Sequence, residues 1–240
     1  MKQAAIIIGA GDATGGAIAR RFARGGFVSV CTRRTEDAVQ PLVDEIRATG
    51  LQAEGFGCDA RSEEEMASLF DRVETGIAPV EAVIFNIGAN VRYPVTETTA
   101  RVYRKVWEMA AFAGFLAGRE AARLMLARNS GTIIFTGATA SVRGSAGFSA
   151  FAGAKFALRA LAQSMARELG PQGIHVAHAI IDGAIDTAFI RDNFPDRYAL
   201  KDQDGLLDPD AIADAYWALH QQPRSAWTHE LDLRPWIETF

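Results

Sequence analysis

The chain has 240 residues, 49% of them hydrophobic and 22% charged, with a formal net charge of -4 and a pI near 5.6. That apolar share suits one sizeable core, and the acidic balance argues against a nucleic-acid binder. The first apolar run, "AAIII", is short and meets glycines at once, so neither a secretion signal nor a membrane span is expected and the chain reads as a cytoplasmic protein.

In chain order, short β-branched runs alternate with long amphipathic stretches. "AAIII" reads as a strand and residues 12–26 as an alanine-rich helix closing on Gly25 and Gly26. "FVSVCT" is a second strand, and residues 36–50 form a helix closing on Gly50. "QAEGFGCD" is a weak third strand, and residues 62–78 a helix that Ser62 caps. "VEAVIFN" is a fourth strand, followed by one long helix over residues 101–131. "TIIFTG", a helix over 149–170 and "IHVAHAII" complete six predicted strands. Cys31 and Cys58 have no metal-ligand spacing and read as buried reduced thiols; no metal is expected.

Strands that are nearly all apolar and separated by helices need cover on both faces. The predicted fold class is therefore α/β: a doubly wound, mostly parallel, Rossmann-type sheet in a single domain over residues 1–240. The helices around 101–128 and 149–169 are too apolar for one solvated face, which predicts a homodimer or homotetramer.

Between the first strand and helix stands "IIIGAGDATGGAIA", with Gly9, Gly11, Gly15 and Gly16. Such a turn aims backbone N–H groups and a positive helix end at a phosphate. After the second strand comes "CTRRTE", so Arg33 and Arg34 stand where an acidic residue would serve NAD and an arginine serves NADP; NADP is favoured over NAD. Asp12 reads as a cap for the first helix.

The glycine turn, "CDA", "FNIGAN", "TGATAS" and a lysine four residues after an aromatic together resemble the short-chain dehydrogenase/reductase family, over residues 4–187. The resemblance implies an NAD(P)-dependent oxidoreductase that moves a hydride at a carbonyl or alcohol carbon. It also implies that Asp59 contacts the adenine and that Asn86 and Gly88 lie beside the adenosine ribose. Gly183 and Thr187 touch the nicotinamide end, and Lys155 holds the nicotinamide ribose. In the family's glycine pattern Ile8 and Ala13 stand for a threonine and a glycine.

The family's proton donor is a tyrosine, aided by a serine and an asparagine. Here those positions carry Phe151, Ala138 and, in the register of "VWEMAAFAGFL", Ala110. Carbonyl or alcohol hydride transfer is therefore expected to be weak or altered. The alternative is a dinucleotide- or small-molecule-binding protein without turnover, a sensor or an oligomer partner; binding neither is a third reading. Thr136, Thr139, Ser141, Ser145, Ser149 and Asp182 are the polar groups nearby that would have to substitute, and His178 reads as a sheet histidine.

Residues from about 188 to 207 match the family's variable substrate loop, in which Phe189, Phe194 and Tyr198 predict an apolar small-molecule ligand. Trp227, Trp236 and Phe240 give an apolar tail suited to a subunit contact or to packing on its own core.

Overall fold

A run such as Ala4–Ile8 has no polar face to offer water, and all five of its residues are buried. The computed structural model describes residues 2–239, so Phe240 and its expected contact lie outside the described residues. The first half runs β1 (Ala4–Ile8), α1 (Thr14–Arg24), β2 (Val28–Arg33), α2 (Gln40–Ala48), β3 (Ala53–Gly57), α3 (Glu63–Gly76), β4 (Val80–Phe85), α4 (Ala100–Trp107) and α5 (Ala113–Leu126). The second runs β5 (Gly131–Thr136), α6 (Ser149–Leu169), β6 (Ile174–Ile181), α7 (Ala188–Asn193), α8 (Pro195–Tyr198), α9 (Pro209–His220) and β7 (Glu230–Leu233).

The strands form one sheet in the order β3-β2-β1-β4-β5-β6-β7, with every neighbouring pair parallel. Successive side chains point to opposite faces. Ile6, Ile8, Val83, Phe85 and Phe135 therefore pack under α3, α5 and α6, while Ala5, Ile7, Ile84 and Ile134 pack under α1, α2 and α9. Two core layers on one sheet are the doubly wound arrangement expected from the sequence. The chain order reverses between β1 and β4, and their C-terminal ends open a crevice there.

Local chemistry sets several boundaries. Ser62 accepts a hydrogen bond from the Glu65 N–H at 3.2 Å, and Glu63, Glu64 and Glu65 fill the first turn of α3, where the helix dipole favours negative charge. α2 starts at Gln40 rather than at 36, because Pro41 suits a first turn and nothing upstream sustains a helix.

Three expectations need correction. The helix expected over 101–131 runs unbroken from Ala100 to Leu126, ending earlier than expected, with a π-helical segment Glu108–Phe112 between α4 and α5. A seventh strand, β7, lies in the region read as a tail: "ELDL" is too short and too polar to announce itself, and β6 supplies its hydrogen bonds. α9, absent from the predicted elements, covers the sheet beside α1, with Tyr216 fully buried. Trp227 stacks on His175 at 4.9 Å within the chain, whereas Trp236 is 77% exposed.

Candidate functional site

The first βα turn is built by steric exclusion. Gly9 has φ +89°, and a Cβ there would lie 2.9 Å from the Asn86 carbonyl oxygen. A Cβ on Gly15 would lie 2.3 Å from the Gly9 carbonyl oxygen and 2.8 Å from the Ala10 Cα. Asn86 Nδ2 donates to the Gly9 carbonyl at 3.2 Å, tying the end of β4 to this turn. Gly11, by contrast, has open space where its Cβ would be. The turn thus leaves backbone facing a cavity of about 950 Å³ in the crevice, at the N-terminal end of α1.

That cavity brings together most of the sequence-predicted residues. Gly9, Gly11, Gly15, Asn86 and Gly88 line one end. Ala138, Phe151, Lys155, Gly183 and Thr187 line the other. Arg33, Arg34 and Asp59 line an adjoining recess of about 380 Å³ that shares Gly9 and Ile87 with the main cavity. Ala110 lies in neither. It is buried in the π-helical segment against Ala89, Val106, Ala150 and Ala154.

In the recess, Arg61 grips Asp59 with two hydrogen bonds of 2.6 and 2.9 Å, which holds the Asp59 carboxyl down at about 2. Arg33 donates to the Ala38 carbonyl at 3.2 Å and pairs with Asp12 at 3.4 Å. Asp12 therefore does not cap α1; the cap position is Ala13, with no side-chain bond. Arg34 has neither hydrogen bond nor ion pair among the described residues.

At the other end, Lys155 is buried, and its Nζ donates to the Thr136 carbonyl at 2.8 Å and to the Ile87 carbonyl at 3.2 Å. Burial lowers its pKa to about 8. The Phe151 ring centroid stands 5.9 Å from Nζ. Phe151 packs with Ala138, Ala140, Ala152 and Phe148 into a small apolar cluster beside the cavity.

Three of the hydroxyls near Lys155 already take part in hydrogen bonds. Thr136 Oγ1 accepts from the buried Tyr216 hydroxyl at 2.9 Å. Ser141 Oγ accepts from the Ala138 N–H at 3.1 Å. Thr139 donates to the buried Asp182, whose other oxygen pairs with Arg234 at 3.4 Å. Thr187 caps α7 by accepting from the Ile190 N–H at 3.2 Å.

His178 is a fully buried sheet residue bonded to Glu230 at 3.1 Å, and burial lowers its pKa to about 4. Cys31 and Cys58 are free and buried, and desolvation pushes both thiols up to about 12.

Of the three aromatic loop residues, only Phe189 reaches the cavity; Phe194 meets Phe189 edge-on, and Tyr198 sits beside Lys201 instead. Sequence reading missed Asn90 and Arg143, both lining the cavity. Their only signal was position, in the segments after the fourth and fifth strands, where a parallel sheet gathers its binding residues.

No helix among the described residues is long and apolar enough to cross a membrane. The profile of the family described as short chain dehydrogenase matches residues 3–197. The 7alpha-hydroxysteroid dehydrogenase of Escherichia coli (strain K12) is 31% identical over 185 residues, 77% of this chain and 72% of that protein. Among solved structures, a short-chain dehydrogenase from Rhodopseudomonas palustris is 50% identical, with a TM-score of 0.84 over 98% of this chain and 99% of that one. A 7alpha-hydroxysteroid dehydrogenase complexed with NADH and 7-oxo glycochenodeoxycholic acid is 27% identical, with a TM-score of 0.88 over 98% of this chain and 93% of that one. The sheet order, the glycine turn at its crevice and these matches lead to one assignment: the chain belongs to the short-chain dehydrogenase family.

Proposed function

We propose that this chain is an NAD(P)-dependent oxidoreductase with a reduced active site, so that hydride transfer at ordinary carbonyls or alcohols is slow or altered. One observation carries the reading: Lys155 is held in place beside the cavity, while Phe151 and Ala138 present carbon where the family resemblance expects hydroxyls.

The residues present fit a dinucleotide. Gly11 leaves open backbone at the turn, and the Gly9 and Gly15 positions have no room for side chains. Asn86 and Gly88 border the same space, and Gly183 and Thr187 close its far end. Asp59 and Arg34 border the recess, where Arg34, which feels the Asp59 charge but makes no hydrogen bond to it, favours the 2′-phosphate of NADP over NAD. When bound, the cofactor supplies the hydride. Lys155 commits two donors to backbone carbonyls and keeps a third for a ligand hydroxyl. Phe189, from the variable segment 188–207, joins Phe148 and Phe151 in an apolar wall for a small molecule.

A second reading, a binding protein without turnover, is favoured by the commitments of Thr136, Thr139 and Ser141. Thr139 spends its own proton on Asp182, and the oxygens of Thr136 and Ser141 already accept a bond, so each would relay a proton only by giving up or rearranging a contact. Either protein suits a homodimer or homotetramer, because Trp107, Phe115 and Phe156 leave aromatic rings exposed on α4, α5 and α6. Two buried free thiols suit the reducing cytoplasm.

The test is fluorescence titration with NADPH and NADH, followed by a carbonyl panel with the wild type and a Phe151→Tyr, Ala138→Ser double variant. NADPH is expected to bind, and wild-type rates to lie far below those of the double variant, by about 10²–10⁴-fold. Failure of either cofactor to bind at millimolar concentration overturns the oxidoreductase reading. Ordinary family rates from the wild type overturn the reduced site. Cofactor binding without turnover on any substrate leaves the second reading standing.

A further inference from the structure

Arg143 lies between the short turn Thr139–Ser141 and α6, and lines the main cavity with Asn90, Ser145 and Phe148. Its backbone N–H donates to the Thr139 carbonyl at 3.1 Å, while its guanidinium has neither hydrogen bond nor ion pair among the described residues. Arg92, from the segment after β4, lines an adjoining recess that shares Ser145. Its guanidinium stands 5.8 Å from the Phe148 ring centroid, and it too has no acidic partner. The loop is shaped around it: Gly147 has φ +83°, and a Cβ there would lie 3.1 Å from Arg92 Cγ.

Apart from Lys155 on α6, whose ammonium is bonded to backbone carbonyls, the cavity's other charges sit on different segments, and most are engaged. Asp186 pairs with Lys201, Asp12 with Arg33 and Arg20 with Glu45. Asp208 accepts from the Asp210 N–H at 2.9 Å, and Asp210 lies in the first turn of α9, where the helix dipole favours its charge. The acidic groups thus come from the segments after β1 and β6, and the unengaged arginine from the segment after β5. That segment also supplies the apolar cluster of Ala138, Ala140, Phe148 and Phe151.

A guanidinium beside an apolar wall offers two things to one molecule: a forked donor for a carboxylate and carbon surface for its ring or chain. We propose that the small molecule taken by this cavity is an apolar carboxylic acid. Its carboxylate is held by Arg143, its apolar body rests on Phe148 and Phe151, and Arg92 adds a second positive charge across Ser145. The inference rests on the cavity being a small-molecule site and does not require turnover.

The experiment is calorimetric binding of naphthoate and of its neutral analogue naphthamide to the full chain at low salt, with and without NADPH. The wild type is expected to bind naphthoate about tenfold more tightly than naphthamide. Added salt narrows that preference. Arg143→Gln abolishes it while leaving naphthamide affinity, NADPH affinity and the melting temperature unchanged, and Arg92→Gln reduces it less. Arg34→Gln leaves it intact, which separates this site from a phosphate site at the dinucleotide end. Equal affinity for the two probes in the wild type, a preference that survives Arg143→Gln, or no binding of either probe at millimolar concentration overturns the proposal. A protein that binds NADPH without preferring the acid loses this inference alone; one that prefers the acid without binding NADPH loses only the oxidoreductase reading.

Discussion

The two ends of the cavity differ in what they are made of. The glycine-turn end is defined by backbone: Gly9 and Gly15 exclude side chains, Gly11 opens to the cavity, and Asn86 locks the turn to β4. The Lys155 end is defined by side chains, among them the phenyl ring of Phe151 and the methyl group of Ala138. A site built of backbone N–H groups tolerates sequence change as long as the turn keeps its shape. A site built of hydroxyls loses its chemistry one substitution at a time, while the fold around it stays intact. Phe151 and Ala138 pack against Ala140, Ala152 and Phe148, so the fold around this end does not depend on a hydroxyl at either position.

The strongest way to break the backbone end is Gly15→Ala. Its methyl would meet the Gly9 carbonyl oxygen at 2.3 Å, and neither partner is a flexible side-chain tip. We expect a loss of about 3 kcal/mol in stability together with loss of dinucleotide binding, read by thermal melting and NADPH titration. A stable Gly15→Ala protein that binds NADPH normally would show that the turn does not govern that end.

Arg34→Gln probes the same end through a side chain. It is expected to weaken NADPH binding by about 10- to 100-fold and to leave NADH unchanged. Equal effects on the two cofactors would remove the 2′-phosphate assignment.

Acid sharpens the contrast from the other side. His178 packs behind Gly137, which adjoins Ala138, and burial lowers both His178 and His220 from the ordinary 6.5 to about 4. Between those values the unfolded chain binds protons that the folded chain does not. Their contribution is therefore fully present above about pH 6.5 and is lost as pH falls toward 4. The slope is at most about 1.4 kcal/mol per pH unit for each histidine. Denaturant unfolding at pH 7, 5.5 and 4.5 checks the fall, and hydrogen exchange should place the first opening near β6 and Gly137 rather than at the glycine turn.

The smallest effect belongs to Asp12→Asn. Its carboxylate is nearly fully exposed and pairs only with Arg33, at 3.4 Å. Removing it should tighten NADPH binding by less than about fivefold, because exposed pairs are weak and salt-screened. A weakening would show that the Asp12–Arg33 pair shapes the site rather than competing with the phosphate.

Much of the site was legible because spacing along the chain survives folding. The lysine four residues after Phe151 places both on one face of α6, and the glycine turn follows β1 wherever the sheet lies. What stayed hidden depended on partners distant in sequence. Arg143 carries no motif, and its importance appears only when the loops after β4 and β5 converge on Ser145. The packing of Ala110 against Ala89, Ala150 and Ala154 likewise depends on residues far from it in the chain. β7 has four residues and no apolar run, so it becomes a strand only because β6 offers an unpaired edge.

The sequence by itself determined the layered α/β architecture, the phosphate-type turn and the absence of a tyrosine before Lys155, because periodicity, glycine sterics and residue identity are local properties. Tertiary structure alone decided which hydroxyls already take part in hydrogen bonds, that Asp12 pairs with Arg33 instead of capping α1, and that the guanidiniums of Arg34 and Arg143 make no hydrogen bond or ion pair among the described residues. Those are questions of which groups meet across the fold, and hydrogen bonds and ion pairs are settled only when distant segments share the same few ångströms.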